Sequence, residues 1–344
     1  MSGALANGGS VLKLMRLPKG DRRLLVDHAA LAMGLAPAIV EKDLWVCYVL
    51  DLLFNRFDYA EHIIFKGGTS LSKCFGLIQR FSEDIDLILD WRLLGYGEHE
   101  PWEPRGNAAQ ERFKLDSTER TEAFLAESFA PKLKAAISAE LDFDAKIYLG
   151  ETSETVVFEY PSERKIAATL DVIKLEIGPM AAWSPSEEAE ISPYAASALP
   201  GMLGSVSTVV RTASPGRTFW EKATILHQEA NRPANKPMPR RYSRHYYDLY
   251  RLGHSFVLKR SLADFALLAC VVEFKEKFYR TPWARLSEAR PGSLGLVTPE
   301  SRVSELEEDY EAIRPMLFGE FSSLGEIVAY LQELESEISG CVWP

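Results

Sequence analysis

At 344 residues, 47% hydrophobic and 26% charged, the chain is long enough for one large or two medium domains with real cores. It has no run of about 18 apolar residues to suggest a membrane span, and its first residues lack the order of a secretory signal, so a cytoplasmic protein with no membrane partner is expected. The formal net charge of −10 argues against bulk attraction to nucleic acid, and Cys47, Cys74, Cys270 and Cys341 show neither metal-ligand nor disulfide spacing, as in a reduced compartment.

Residues 1 to about 20 read as a loose leader, followed by helices over Asp21–Met33 and Ala36–Asn55. The second has Pro37 in its first turn, a favoured position, and Glu41, Lys42 and Asp43 there are read as a solvated helix start. His62 to Phe65 are apolar and short, which predicts a buried strand. Lys66-Gly67-Gly68-Thr69-Ser70 breaks it as a glycine turn and opens a short helix with Leu71, Phe75 and Ile78 on one face. Asp84 to Asp90 alternates with period 2, so Asp84, Asp86 and Asp90 share one face of a strand and Ile85, Leu87 and Leu89 the other.

A polar, aromatic-bearing segment from Trp91 to Gly106 reads as a mobile surface loop, and Ala108–Ala139 as a long helix broken near Pro131. Strands are expected over Asp142–Tyr148, Thr155–Tyr160 and Lys165–Ile177, the last ended by Gly178-Pro179. Met180 to Leu203 looks like a connection with a short helix, and Val206–Arg211 like a brief extended piece. Helices follow over Arg217–Ala230, Tyr242–Leu252, Leu262–Tyr279, Pro299–Leu317 and Leu324–Ser339. The order predicts an α/β (α+β) chain: a mixed sheet flanked by helices over residues 1–205, then a mostly helical domain over 206–344.

The candidate chemistry centres on Asp84 and Asp86. Two carboxylates at i and i+2 on a strand reach one small volume, which suits Mg²⁺ or Mn²⁺ bound with substrate phosphates. A third carboxylate on a neighbouring strand is wanted, and Glu176, at a polar strand end beside Lys174, is preferred to Asp171, whose face is otherwise apolar. Gly67, Gly68, Thr69 and Ser70 are a candidate triphosphate cradle, with a purely structural turn as the alternative. Ser82 could be a cap, a nucleotide contact or a turn residue.

Lys222 has no helix ion-pair partner in Glu221, so its charge is expected to serve phosphates. Asp248 is the only acid between Arg232 and Arg260, with Arg244 and Arg251 at i−4 and i+3. A surface salt bridge is one reading of it and a site residue the other. His227 and His245 are read as helix-surface residues. That same basic segment holds Arg240, Arg241 and Arg244 and offers a local nucleic-acid surface on an acidic chain.

Taken together, FKGGTSLSK followed by RFSEDIDL, then KLEIG, FWEKATILH and RHYYDLYRL, resemble in content and order the AbiEii family of nucleotidyltransferase toxins. These are abortive-infection, type IV toxin–antitoxin proteins of the DNA polymerase β-like nucleotidyltransferase superfamily. The likeness runs over roughly residues 38 to 255, with EKDLWV resembling the helix before the first motif. It implies that Gly67, Gly68, Thr69 and Ser70 form the nucleotide-phosphate turn, assisted by Lys66, that Asp84 and Asp86 bind metal, and that Lys222 and Asp248 are essential. Ser82 matches a serine that can be phosphorylated in some relatives, and Glu176 is carried over less firmly. The family implies a cognate antitoxin and transfer of an NMP from an NTP to an RNA acceptor, chiefly the tRNA 3′ end, with Arg240, Arg241 and Arg244 on tRNA phosphates. Two alternatives are an NTP-binding regulator that transfers nothing and a nucleotidyltransferase acting on protein.

Overall fold

The computed structural model describes residues 10–80, 84–162, 164, 171–179, 185–319 and 322–343; Ser82 lies outside them, as do residues 165–170 of the third expected strand. The chain divides into two compact units, one formed by Met1–Cys74 with Glu83–Thr212, the other by Phe75–Ser82 with Ala213–Pro344.

The first unit is a mixed α/β layer structure. Its strands are β1 (Ile63–Lys66), β2 (Asp84–Leu89), β3 (Lys146–Leu149), β4 (Thr155–Glu159), β5 (Val172–Gly178), β6 (Ser186–Ile191) and β7 (Thr208–Ala213). They form one seven-stranded sheet in the order β3-β4-β5-β2-β1-β7-β6. β1 runs antiparallel to β2 and parallel to β7, while β2 and β5 are parallel. The helices are α1 (Val11–Met15), α2 (Lys19–Met33), α3 (Pro37–Asn55), α4 (Gly67–Lys73), α5 (Asn107–Phe124), α6 (Ala130–Leu141), α7 (Tyr194–Ala198) and α8 (Pro200–Leu203).

Period-2 patterning decides which face of the sheet is core. Ile85, Leu87 and Leu89 of β2 and Ile173, Leu175 and Ile177 of β5 are all fully buried. Trp45 of α3 is buried beside Phe158 and stacks on Tyr160 at 5.6 Å between ring centroids.

Six expectations for this unit are corrected. Within the leader, α1 buries Val11 and Leu14 completely, so a hydrophobic anchor stands there. The start of α3 is not solvated: Glu41, Lys42 and Asp43 are buried. Asp43 is satisfied by Lys73 Nζ at 2.6 Å and by the Tyr194 N–H at 2.6 Å, which is how a charge is tolerated there. The helix after the glycine turn stops at Lys73, so Phe75 and Ile78 are not on it. Trp91–Gly106 is not all surface: Trp91, Leu94 and Tyr96 are buried, and the Tyr96 hydroxyl donates to Asp116 of α5 at 2.6 Å. The segment read as a connection contains strand β6, whose polar sequence suits its place at the sheet edge. The break expected near Pro131 is one π-helical turn over Leu125–Phe129.

The second unit is helical: α9 (Pro215–Ala230), α10 (Ser243–Gly253), α11 (Phe256–Leu262), α12 (Phe265–Phe278), α13 (Val303–Ile313) and α14 (Leu324–Ser339). Where one helix was expected over Leu262–Tyr279, α11 ends at Leu262 and α12 starts afresh, with Asp264 accepting from the Leu267 N–H as its cap. Residues Phe75–Arg80 are seated on α10: Tyr247 Oη accepts from the Gln79 N–H at 3.1 Å and Arg251 Nε donates to the Leu77 carbonyl at 3.3 Å. Among the described residues no single helix is long and apolar enough to cross a membrane.

Candidate active site

In the first unit the site is built by strand register. Lys66 of β1 stands opposite Asp86 of β2, Asp86 opposite Glu176 of β5, and Glu176 opposite Thr155 of β4. Side chains directly opposite across a sheet share a face. One lateral row therefore reads Lys66–Asp86–Glu176–Thr155. Two residues away along each strand, and so on the same face, runs a second row: Asp84–Lys174–Val157–Tyr148. This is the face opposite the apolar core. Asp84, Asp86 and Glu176 thus come together, and Asp171, one residue before β5 and out of phase with Glu176, does not join them.

The acids crowd one another. Partial burial, then the Asp86 and Asp84 carboxylates and a hydrogen bond with Asp86, raise the Glu176 carboxyl above its ordinary range, although much of the side chain is open to solvent. Glu154, which the sequence reading overlooked, is a fourth acid here: burial raises it and Lys66 opposes the rise. Among the described residues no three His, Cys, Asp or Glu side chains already stand as a cation-holding group. Asp84, Asp86 and Glu176, neighbours by strand register on one face, supply the hard carboxylate oxygens that Mg²⁺ or Mn²⁺ takes, so the donor chemistry fits such an ion.

The glycine turn is pressed against this row. Gly67 has φ +82°, and a Cβ on it would lie 2.0 Å from Asp86 Oδ2, so only glycine fits. Thr69 Oγ1 donates to the Asp84 carbonyl at 2.6 Å and Ser70 Oγ to the Gly67 carbonyl at 2.9 Å. Gly68, Thr69 and Ser70 are buried; the Thr69 hydroxyl ties the turn to β2 and the Ser70 hydroxyl closes it on itself.

In the second unit a separate charged cluster forms around Asp248, and the surface salt bridge with Arg244 or Arg251 is corrected. Asp248 is fully buried. Arg80 grips it with Nε at 2.7 Å and Nη2 at 3.0 Å, and Lys222 Nζ approaches at 3.1 Å. Burial alone would raise the Asp248 carboxyl, but Arg80 and Lys222 hold it well below the usual carboxylate range. Lys222, expected to be free for phosphates, is itself buried. Burial first, and then Arg80, lowers its proton affinity against the pull of Asp248. His245 is no surface residue either: it is buried and lies 3.0 Å from Lys222 through Nδ1. Burial, Lys222 and Arg244 keep its ring neutral, which makes Nδ1 the acceptor. His227 is likewise buried, between the Arg285 carbonyl and the Gly295 N–H.

Arg80 is the residue the sequence reading missed, since its only signal was an arginine just ahead of the acid pair. Within the basic segment Arg240, Arg241 and Arg244 are exposed. Arg232 is paired with Glu229 at 2.6 Å and Arg251 is bonded to Leu77, so both have structural partners.

No curated protein matches the chain. Among solved structures, MenT4, a nucleotidyltransferase toxin from Mycobacterium tuberculosis H37Rv, is similar with a TM-score of 0.46 and 17% identity, over 93% of this chain and 90% of that one. The family model described as nucleotidyl transferase AbiEii toxin, type IV TA system, matches residues 51–332, a span that holds the glycine turn, the acid rows and the Asp248 cluster. With most of its length inside that match, the chain belongs to the AbiEii family of nucleotidyltransferase toxins of type IV toxin–antitoxin systems.

Proposed function

We propose that this protein is the toxin of such a pair, a divalent-metal-dependent nucleotidyltransferase that moves an NMP from an NTP to an RNA acceptor, the 3′ end of tRNA, and that a cognate antitoxin restrains it. The observation that carries this reading is the in-register row Lys66–Asp86–Glu176 with Asp84 beside it on the same face. Asp84, Asp86 and Glu176 would hold Mg²⁺ or Mn²⁺, which when bound neutralises phosphate charge and acidifies the attacking hydroxyl. Lys66 and the backbone of the Gly67–Gly68 turn bind the triphosphate. The acceptor 3′-oxygen bonds to the α-phosphorus, the bond to the bridging oxygen breaks, and pyrophosphate leaves. The hydroxyl proton leaves to solvent water, to which the row is open at the exposed Glu176. Asp248 orients Lys222 and Arg80 rather than meeting substrate, as its complete burial favours. The exposed Arg240, Arg241 and Arg244 supply non-specific phosphate contacts.

The test is incubation of pure protein with each α-labelled NTP, Mg²⁺ and total tRNA, beside an Asp84→Ala, Asp86→Ala control. Label in RNA from the wild type alone supports the reading. Label in protein moves the acceptor to a side chain, and nucleotide binding without transfer makes the chain a regulator.

A further inference from the structure

The working face of the sheet extends past the acids, and what lies there has no part in the reaction as described so far. A cavity of about 470 Å³ sits over β5, β4 and β3, lined among others by Tyr148, Gly150, Thr155, Val157, Lys174 and Glu176. Its position follows from the two lateral rows. Tyr148 closes the row that begins at Asp84, three strand spacings away, or about 14 Å at the usual separation of hydrogen-bonded strands. Thr155 is the neighbour of Glu176 in the other row. Gly150 packs closely on Thr155, where a Cβ would lie 2.8 Å from Thr155 Cγ2.

The lining is sorted by chemistry. Tyr148 of β3 is 49% exposed, with the apolar Val157 beside it. An aromatic face open to solvent in a cleft is what a nucleobase stacks on, whatever its identity. Lys174, exposed on the β5 side of the cavity, offers an ammonium suited to a backbone phosphate. Glu176, exposed at the end of the acid row nearest the cavity, stands where a ribose would present its hydroxyls. Base, sugar and phosphate each have a counterpart, laid out from β3 toward β5.

We infer that this cavity is the subsite for the terminal nucleoside of the RNA acceptor, an inference that rests on the transferase reading above. The sheet order selects the acceptor over the incoming NTP. In phosphoryl transfer the attacking and leaving oxygens lie roughly in line across the phosphorus. The glycine turn belongs to β1 and α4, on one side of the acids, whereas the cavity lies over β5, β4 and β3, on the other. With pyrophosphate leaving toward the turn, the nucleophile must enter from the cavity. The ring of Tyr148 then holds the last base and Lys174 the phosphate before it, leaving the 3′-hydroxyl at Glu176.

Steady-state kinetics on Tyr148→Ala and Lys174→Ala test this, with thermal melts to confirm folding, since both side chains are exposed. The KM for RNA should rise about tenfold or more in each, while the KM for NTP stays within twofold. Tyr148→Phe, which keeps the ring, should recover most of the RNA affinity that Tyr148→Ala loses. A readout independent of turnover is titration with a fluorescent single-stranded RNA ending in a 3′-deoxynucleotide, without metal or NTP. Its Kd should weaken in Tyr148→Ala by a similar factor. If the KM for NTP rises instead, the cavity is the base site of the donor and the inference is wrong. If wild type transfers to RNA but neither variant alters either KM or the Kd, the inference fails and the transferase reading stands. If wild type transfers nothing to RNA and the oligonucleotide does not bind, both fall together.

Discussion

Replacing Asp248 by alanine should destabilise the second unit whether or not that residue takes part in chemistry. The carboxylate is fully buried and satisfies two cations, Arg80 at 2.7 and 3.0 Å and Lys222 at 3.1 Å, which are themselves only 5% and 8% exposed. Removing one partner of a buried charged pair leaves the other desolvated and unpaired, a loss of about 3–5 kcal/mol. Against a typical stability of about 5–15 kcal/mol that is a large share. Urea unfolding followed by tryptophan fluorescence reads it, because Trp220 is fully buried in α9. The pH dependence carries the same signature. Arg80 and Lys222 hold the folded pKa below the unfolded value of about 3.9, so the stabilisation is complete above that pH and is lost as pH falls below about 4 toward the folded pKa. Asp248→Ala should lack this acid limb. The double variant Arg80→Met, Asp248→Leu removes both charges in similar volume and should recover most of the loss, since Lys222, its proton already weakened by burial, can become neutral. A free-energy change below about 1 kcal/mol in Asp248→Ala would refute the reasoning. Loss of growth arrest in that variant therefore identifies a chemical role only after correction for the fraction folded.

Three further outcomes follow from the first unit. Gly67→Ala should cut transfer by about 100-fold or more, because a Cβ 2.0 Å from Asp86 Oδ2 displaces that carboxylate, while left-handed strain costs only about 1–2 kcal/mol in a melt; near-normal transfer sinks the argument. Glu176→Gln should melt no lower than wild type at neutral pH in EDTA. An acid whose folded pKa is raised contributes stability only below its unfolded pKa and loses it as pH rises through the folded one. The same variant should lose the rise in Tm that Mg²⁺ confers on wild type, and an undiminished rise would remove Glu176 from the metal set. Lys73→Met should lower stability by about 3–5 kcal/mol in urea unfolding by stranding the buried Asp43, and a neutral result would mean that Asp43 is held by the Tyr194 N–H alone.

What could be read in the sequence was what is periodic or local. The alternation of β2 and β5 set their buried faces, and the same alternation put Glu176, not Asp171, on the face of Asp84 and Asp86. The misreadings share another cause: a charge takes its meaning from a partner distant in sequence. Asp43 looked solvated because Lys73, its partner, is 30 residues on. Asp248 looked like a surface acid because nearby arginines offered local partners, while its actual partner, Arg80, is 168 residues away. Arg80 was hardest to see for a reason the unit boundaries make plain. Residues 66–74 and 84–86 belong to the first unit and supply the glycine turn and the acid pair, yet 75–82, between them, belong to the second. A stretch read as one strand–turn–helix–strand motif is therefore two interleaved ones, and helical periodicity was extended through Phe75 and Ile78 past the end of α4, into a segment whose backbone at Leu77 and Gln79 is bonded by α10. Arg80 sits where a spacer between two motifs was expected, and its guanidinium is what allows a carboxylate to be buried in the second unit's core.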